Sequence, residues 1–123
     1  DSYDWTTYKE KVGTGDYDVC LYGWIGDNSD PDNFMNLLAS EDIEINVAQY
    51  SDEEFNTMLA EAASTPNGEE RNAIYAQMEQ KIADECVWLP ISHQENLSAY
   101  LSNVHNYIAH PPGNVFLSQT YKQ

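Results

Sequence analysis

Basic residues are scarce in this chain. Five lysine and arginine side chains stand against 21 acidic ones, a formal net charge of −16 with the histidines neutral, and the only arginine is Arg71. Nucleic-acid binders concentrate Lys and Arg to neutralise phosphates, so that class is excluded. An anionic membrane surface is disfavoured for the same reason. No apolar run approaches the roughly 20 residues that span a bilayer. The opening residues, Asp1-Ser-Tyr-Asp-Trp5, carry neither a basic segment nor an apolar core, so no signal peptide is expected here. Cysteine is limited to Cys20 and Cys86. Two cysteines allow one disulfide without requiring it, and their spacing excludes a CxxC redox pair and a four-cysteine zinc site. Both sit in apolar settings, so the expectation is two buried, reduced thiols, with pairing left open. Phosphate loops are missing too: Gly13, Gly15, Gly23 and Gly26 fit neither GxGxxG nor GxxxxGK. No GxSxG elbow or paired Cys–His motif occurs.

What is present suits one small α/β domain. The 123 residues are 41% hydrophobic, with 3 Trp, 9 Tyr and 3 Phe to fill a core. Trp5, Tyr8 and Val12 share one helical face, and Gly13-Thr-Gly15 ends that helix. The unbroken run Val19-Cys-Leu-Tyr22 predicts a strand over 17–22, buried on both faces of a mixed sheet. A helical turn over 34–38 follows Pro31 and Asp32. A second helix begins at Ser51, whose spacing to Glu54 is that of a capping box, and carries Phe55, Met58, Leu59 and Ala62 inward. After Thr65-Pro-Asn-Gly68, a third helix over about 69–85 presents Ile74, Tyr75, Met78 and Ile82, with Asn67 and Glu70 as a further capping-box pair. Strands are expected at 87–91, 97–101, 104–109 and 115–117, with Pro90 placing the first at a sheet edge or end and Pro111-Pro-Gly113 interrupting the last two. From residue 95 onward the character changes: Glu95 is the last acid.

The densest polar feature is the loop Gly23 to Asn33, which directly follows the 17–22 strand. Ligands of open α/β sheets bind beyond the carboxyl ends of strands. Asp27 can anchor a cation such as an amine, and Trp24 can wall an apolar pocket. The competing reading is a turn of ordinary turn residues. No EF-hand register fits: counted from Asp27, position 6 is Asp32 and position 12 is Leu38. A looser calcium site would use Asp27, Asp30 and Asp32. His93 ends an expected strand and can line a cleft; His105 and His110 read as surface or loop residues, and none of the three has metal-ligand helical spacing. Asp30 and Asp32 lack the spacing of a hydrolytic acid pair, so no enzyme is expected.

Four motifs occur in order: DYDVCLYGWIGDNSDPDNFMNLL (16–38), QYSDEEFNTMLAEA (49–62), EERNAIYAQMEQKIADECVWLPISH (69–93) and LSNVHNYIAHPPGNVF (101–116). Together they resemble the C-terminal part of bacterial dipeptide/oligopeptide (also nickel) solute-binding proteins of ABC importers. The resemblance implies a periplasmic-binding-protein type II-like lobe with a mixed sheet and packed helices. Residues 1–95 would be the C-terminal part of the second ligand-binding lobe, and 96–123 a crossover returning toward the first. It implies extracytoplasmic capture of a short peptide and delivery to a permease, in the periplasm or as a cell-surface lipoprotein, with no resident cofactor and no enzymatic activity. It leaves open nickel or haem as ligand, and peptide length and side-chain preference.

By the same resemblance, Asp27 meets the ligand's α-amino group. Gly23, Trp24 and Ile25 pair with its backbone by β-augmentation, and Trp24 shapes a side-chain pocket. The carboxylate anchor would lie outside this sequence. A lobe lacking its covering strands is expected to self-associate. The alternative is an independent acidic interaction domain whose 23–33 loop is structural or binds calcium.

Overall fold

The computed structural model describes residues 1–15, 17–93, 95, 97–110 and 113–123. The expected break at Pro111 and Pro112 lies outside them. Four helices, α1 (Trp5–Thr14), α2 (Asp32–Ala39), α3 (Glu53–Ser64) and α4 (Glu69–Asp84), precede a ribbon of β1 (Val104–His105) and β2 (Tyr121–Lys122).

The core forms where apolar helical faces meet. α3 and α4, joined by the short Thr65–Gly68 link, make a helical hairpin, and α2 packs on α3. Phe55, Leu59 and Ala62 of α3 close on Ile74, Tyr75, Met78 and Ile82 of α4, with Met35 and Leu38 of α2 completing the cluster. Phe55, Leu38 and Met78 are its largest fully buried side chains. The α4 stripe is as the periodicity predicts; on α3, Met58 is only partly buried. Asn46 is a buried polar residue in the α2–α3 connection. Its amide donates to the carbonyls of Leu38, Ser40 and Tyr50 and accepts from the Tyr50 N–H, so its burial is compensated. Lys81 collects the acids near the α3–α4 hairpin, lying 2.7 Å from Glu85, 3.0 Å from Glu54 and 3.4 Å from Asp52.

The helix ends differ from expectation in informative ways. Asp52, not Ser51, caps α3 by accepting from the Phe55 N–H at 2.7 Å. Gly68 takes the N-cap position of α4, because the Asn67 side chain is engaged by Arg71. α1 runs through Gly13 and ends at Gly15, whose left-handed backbone (φ 68) reverses the chain. α4 ends in a Schellman motif: the Val87 N–H reaches Ile82 O, the Cys86 N–H reaches Ala83 O, and Cys86 itself is left-handed (φ 53).

Cys86 therefore sits exposed at the turn, while Cys20 is half-buried; both are free thiols. This corrects the expectation of two buried cysteines, although both are reduced. A glycine belongs at such a position, so Cys86→Gly is expected to stabilise the fold by up to about 1 kcal/mol, read as a higher urea midpoint.

The wide mixed sheet is not formed among the described residues. Four helices with one antiparallel ribbon, in the register Val104↔Lys122 and His105↔Tyr121, remain compatible with an α/β class. Segment 17–22 is not a strand: Val19 is 88% and Leu21 74% exposed. The Tyr8 hydroxyl, donating to Leu21 O at 2.7 Å, and a stack of Trp5, Tyr8 and Tyr22 rings tether it to α1. Likewise, Val87 and Trp88 pack on the core but Leu89 is 85% exposed. Apolar runs favour extended backbone, but a strand requires a hydrogen-bonding partner strand, and neither segment is paired in this way among the described residues. The 97–101 and 115–117 segments are also unpaired, and 104–109 is reduced to the two residues of β1.

Candidate functional site

The loop Gly23 to Pro31 is built onto the start of α2. Pro31 takes the N-cap position, Asp32 opens the first turn, and the N–H groups of Phe34 and Met35 turn back to Pro31 O. The Asn33 side-chain oxygen accepts twice from the loop: from Trp24 Nε1 at 2.9 Å and from the Asp27 main-chain N–H at 3.2 Å. Thus two of the sequence-predicted residues, Trp24 and Asp27, are brought together on one amide. Trp24 is 40% exposed and Ile25 is exposed, and around Gly23 nothing occupies the space a side chain would fill. Asp27 is exposed, and among the described residues its carboxylate has no ion-pair partner. An incoming cation therefore meets no competitor there.

Asp30 behaves oppositely. Its carboxylate pairs with Arg71 in a two-pronged contact, Oδ2 to Nη1 at 2.7 Å and Oδ1 to Nη2 at 2.8 Å. The remaining guanidinium donors reach Ala62 O (2.8 Å), Asn67 Oδ1 (3.0 Å) and the Tyr75 hydroxyl (2.8 Å). All five N–H groups of this buried arginine are thereby satisfied. The pair spans 41 residues of sequence and fastens the loop to the α3–α4 hairpin. Asp32 Oδ1 is buried without a hydrogen-bond partner among the described residues; its place in the first turn of α2 suits a negative charge.

The Arg71 hydrogen bonds, with a further one from the Asp32 N–H, hold the Asp30 carboxyl down to about 2. A carboxylate lowered in the folded state contributes stability above its unfolded value. That contribution is lost as pH falls from about 4 toward 2. Thermal melts of the unsubstituted protein and Asp30→Asn at pH 7, 4 and 2.5 check this. The unsubstituted protein is expected to lose its advantage over the variant across that window; a constant gap would remove Asp30 from the acid response.

Sequence reasoning missed Arg71 and Asn33. A signal for Arg71 existed: it shares the helical face of Ile74, Tyr75, Met78 and Ile82, and a cation on an apolar stripe requires an anion. Asn33 had no distinguishing signal. His93 is exposed, His105 stacks on Tyr121, and His110 lies edge-on to Phe116. Among the described residues no three His, Cys, Asp or Glu side chains gather to hold a metal ion, and Asp30 of the looser calcium set is committed to Arg71. Two surface clefts, one lined by residues including Val12 and Tyr22 and one by residues including Ile108 and Phe116, do not involve Trp24 or Asp27. No helix among the described residues is long and apolar enough to cross a membrane.

The chain is 33% identical over 114 residues to heme-binding protein A of Haemophilus influenzae, covering 91% of this chain and 21% of that protein. It is 32% identical over 112 residues to di/tripeptide-binding protein 2 of Pseudomonas aeruginosa, covering 89% and 21%. With the dipeptide-binding protein of Escherichia coli K12 it shares 27% over 115 residues, covering 91% and 22%. The chain thus spans about a fifth of the length of these curated relatives. No family model matches it. No solved structure matches it.

Proposed function

The chain belongs to the dipeptide/oligopeptide solute-binding protein family of ABC transporters, and from that premise we propose that it forms part of the site that captures a short peptide by its free amino terminus. The observation that carries this reading is Asp27: an exposed residue whose carboxylate has no ion-pair partner among the described residues, and whose main-chain N–H shares the Asn33 side-chain oxygen with the Trp24 indole. A ligand ammonium held there by a charge-assisted hydrogen bond would be sealed in as the cleft closes. The segment from Gly23 to Ile25, which has no strand partner among the described residues, offers main-chain groups to a peptide added as a strand, and such pairing tolerates varied side chains.

In this reading residues 1–95 are the C-terminal part of a periplasmic-binding-protein type II-like lobe, and 96–123 cross toward the other lobe. The exposed Val19, Leu21, Leu89 and Ile91 are the sheet positions that further strands of the full-length protein cover. The protein works outside the cytoplasmic membrane and passes its ligand to a permease. It is a binding protein, not an enzyme, as the names of its relatives suggest.

Calorimetric titration of the full-length protein with di- to pentapeptides, and separately with calcium, tests the proposal. Saturable peptide binding is expected. Calcium binding without peptide binding would instead favour an acidic interaction domain. The calcium-binding form of that alternative is weakened by the engagement of Asp30 with Arg71.

A further inference from the structure

The first turn of α2 does more than start a helix. It is fixed from below: the Asn33 N–H donates to Asp30 O at 3.2 Å, the Asp32 N–H donates to Asp30 Oδ1 at 3.1 Å, and Asp30 is itself gripped by Arg71. It is also packed from above. Gly26 lies against the Phe34 ring, so close that an added Cβ would stand 2.9 Å from Cε2 and the ring would have to shift to admit it. Between these restraints the Asn33 amide oxygen accepts from the Trp24 indole and from the Asp27 main chain at once. An sp² oxygen has two lone pairs, so both bonds can be good ones. A neutral amide also does this without setting a second negative charge beside Asp27.

We propose that Asn33 is the positioning residue of the site: its single side-chain oxygen ties the Trp24 indole and the Asp27 main chain into one unit, so that pocket wall and amine anchor are presented together. The proposal rests on the reading of Trp24 and Asp27 as ligand residues. Asn33 itself touches no ligand in it.

The test uses the full-length protein, with Asn33→Ala removing the acceptor and Asn33→Asp keeping an oxygen in place. Two quantities are read: the affinity ratio for a free-amine dipeptide over its N-acetylated form, and the position of the Trp24 indole N–H cross-peak in 15N spectra. Losing two hydrogen bonds that hold the geometry is expected to lower the ratio about tenfold in Asn33→Ala. The indole peak should move to a solvated position, and Asn33→Asp should restore that peak. Adding Asp27→Asn to Asn33→Ala should then cost little more.

An unchanged ratio or an unmoved indole peak in Asn33→Ala would overturn the proposal, as would a full Asp27→Asn effect in that background. If Asn33→Ala does not fold, hydrogen exchange in the unsubstituted protein decides. The Asp27 amide and the Trp24 indole N–H should both be protected despite their exposed residues, and absent protection contradicts the latch. Should the unsubstituted protein show no amine preference, the Asp27 reading fails, while joint protection of the two N–H groups still reports on Asn33.

Discussion

Phe55→Ala is expected to produce the largest loss of stability of any single core substitution in α3, about 3–5 kcal/mol by the scale for emptying a buried phenylalanine site. The side chain is fully buried, at 0% exposure. Its ring meets Tyr50 edge-on at 5.5 Å between centroids, and its N–H is the group that the Asp52 cap satisfies. It therefore joins the α2–α3 connection, the α3 N-terminus and the α4 stripe. Domains are held by only about 5–15 kcal/mol, so a large share of the stability is at stake. Urea unfolding followed by far-UV circular dichroism checks it. A midpoint close to that of the unsubstituted protein would mean that the α3–α4 contact is not the main source of stability.

Asp27→Asn should leave the fold alone and strike at binding. The substitution is nearly isosteric and keeps the main-chain N–H bond to Asn33, so the unfolding midpoint should not move. Truncating one partner of a desolvated charge pair costs about 2–5 kcal/mol, which is tenfold or more in affinity. Free-amine peptides should therefore bind the full-length variant much more weakly, while N-acetylated peptides should bind it and the unsubstituted protein alike. Equal affinity of both proteins for free-amine peptides would remove Asp27 from the amine site.

The helices were legible in the sequence because their signals are local. The stripe Ile74, Tyr75, Met78 and Ile82 is read from spacing alone, and so is the stop at Gly15. Caps were legible only to within one residue. Ser51 and Asp52 are both good capping residues, and only the fold reveals that Asp52 reaches the Phe55 N–H. Asn67 appeared suited to capping α4, but a guanidinium nine-tenths buried nearby drew its oxygen away.

Strands were misread for a different reason. The apolar run at 19–22 favours extended backbone, but a strand is defined by a neighbour that no local pattern announces. The loop was legible as a candidate site from its position and its acids. How its acids divide was not. Asp30 is neutralised by an arginine 41 residues away, and Asp27 has no such partner among the described residues. The net charge of −16 therefore says little about partners by itself: Lys81 gathers Asp52, Glu54 and Glu85 and Arg71 takes Asp30, whereas Asp27 is one of the acids without an ion pair among the described residues, and it is its place beside Trp24 in the loop that makes it the candidate for one positive charge.

The most direct measurement is a titration of the unsubstituted full-length protein with one dipeptide in two forms, free at its amino terminus and N-acetylated. Acetylation removes the positive charge and changes little else. If Asp27 receives the α-amino group of a captured peptide, the free form binds at least about tenfold more tightly. Equal affinities for the two forms, or binding of neither, would contradict it.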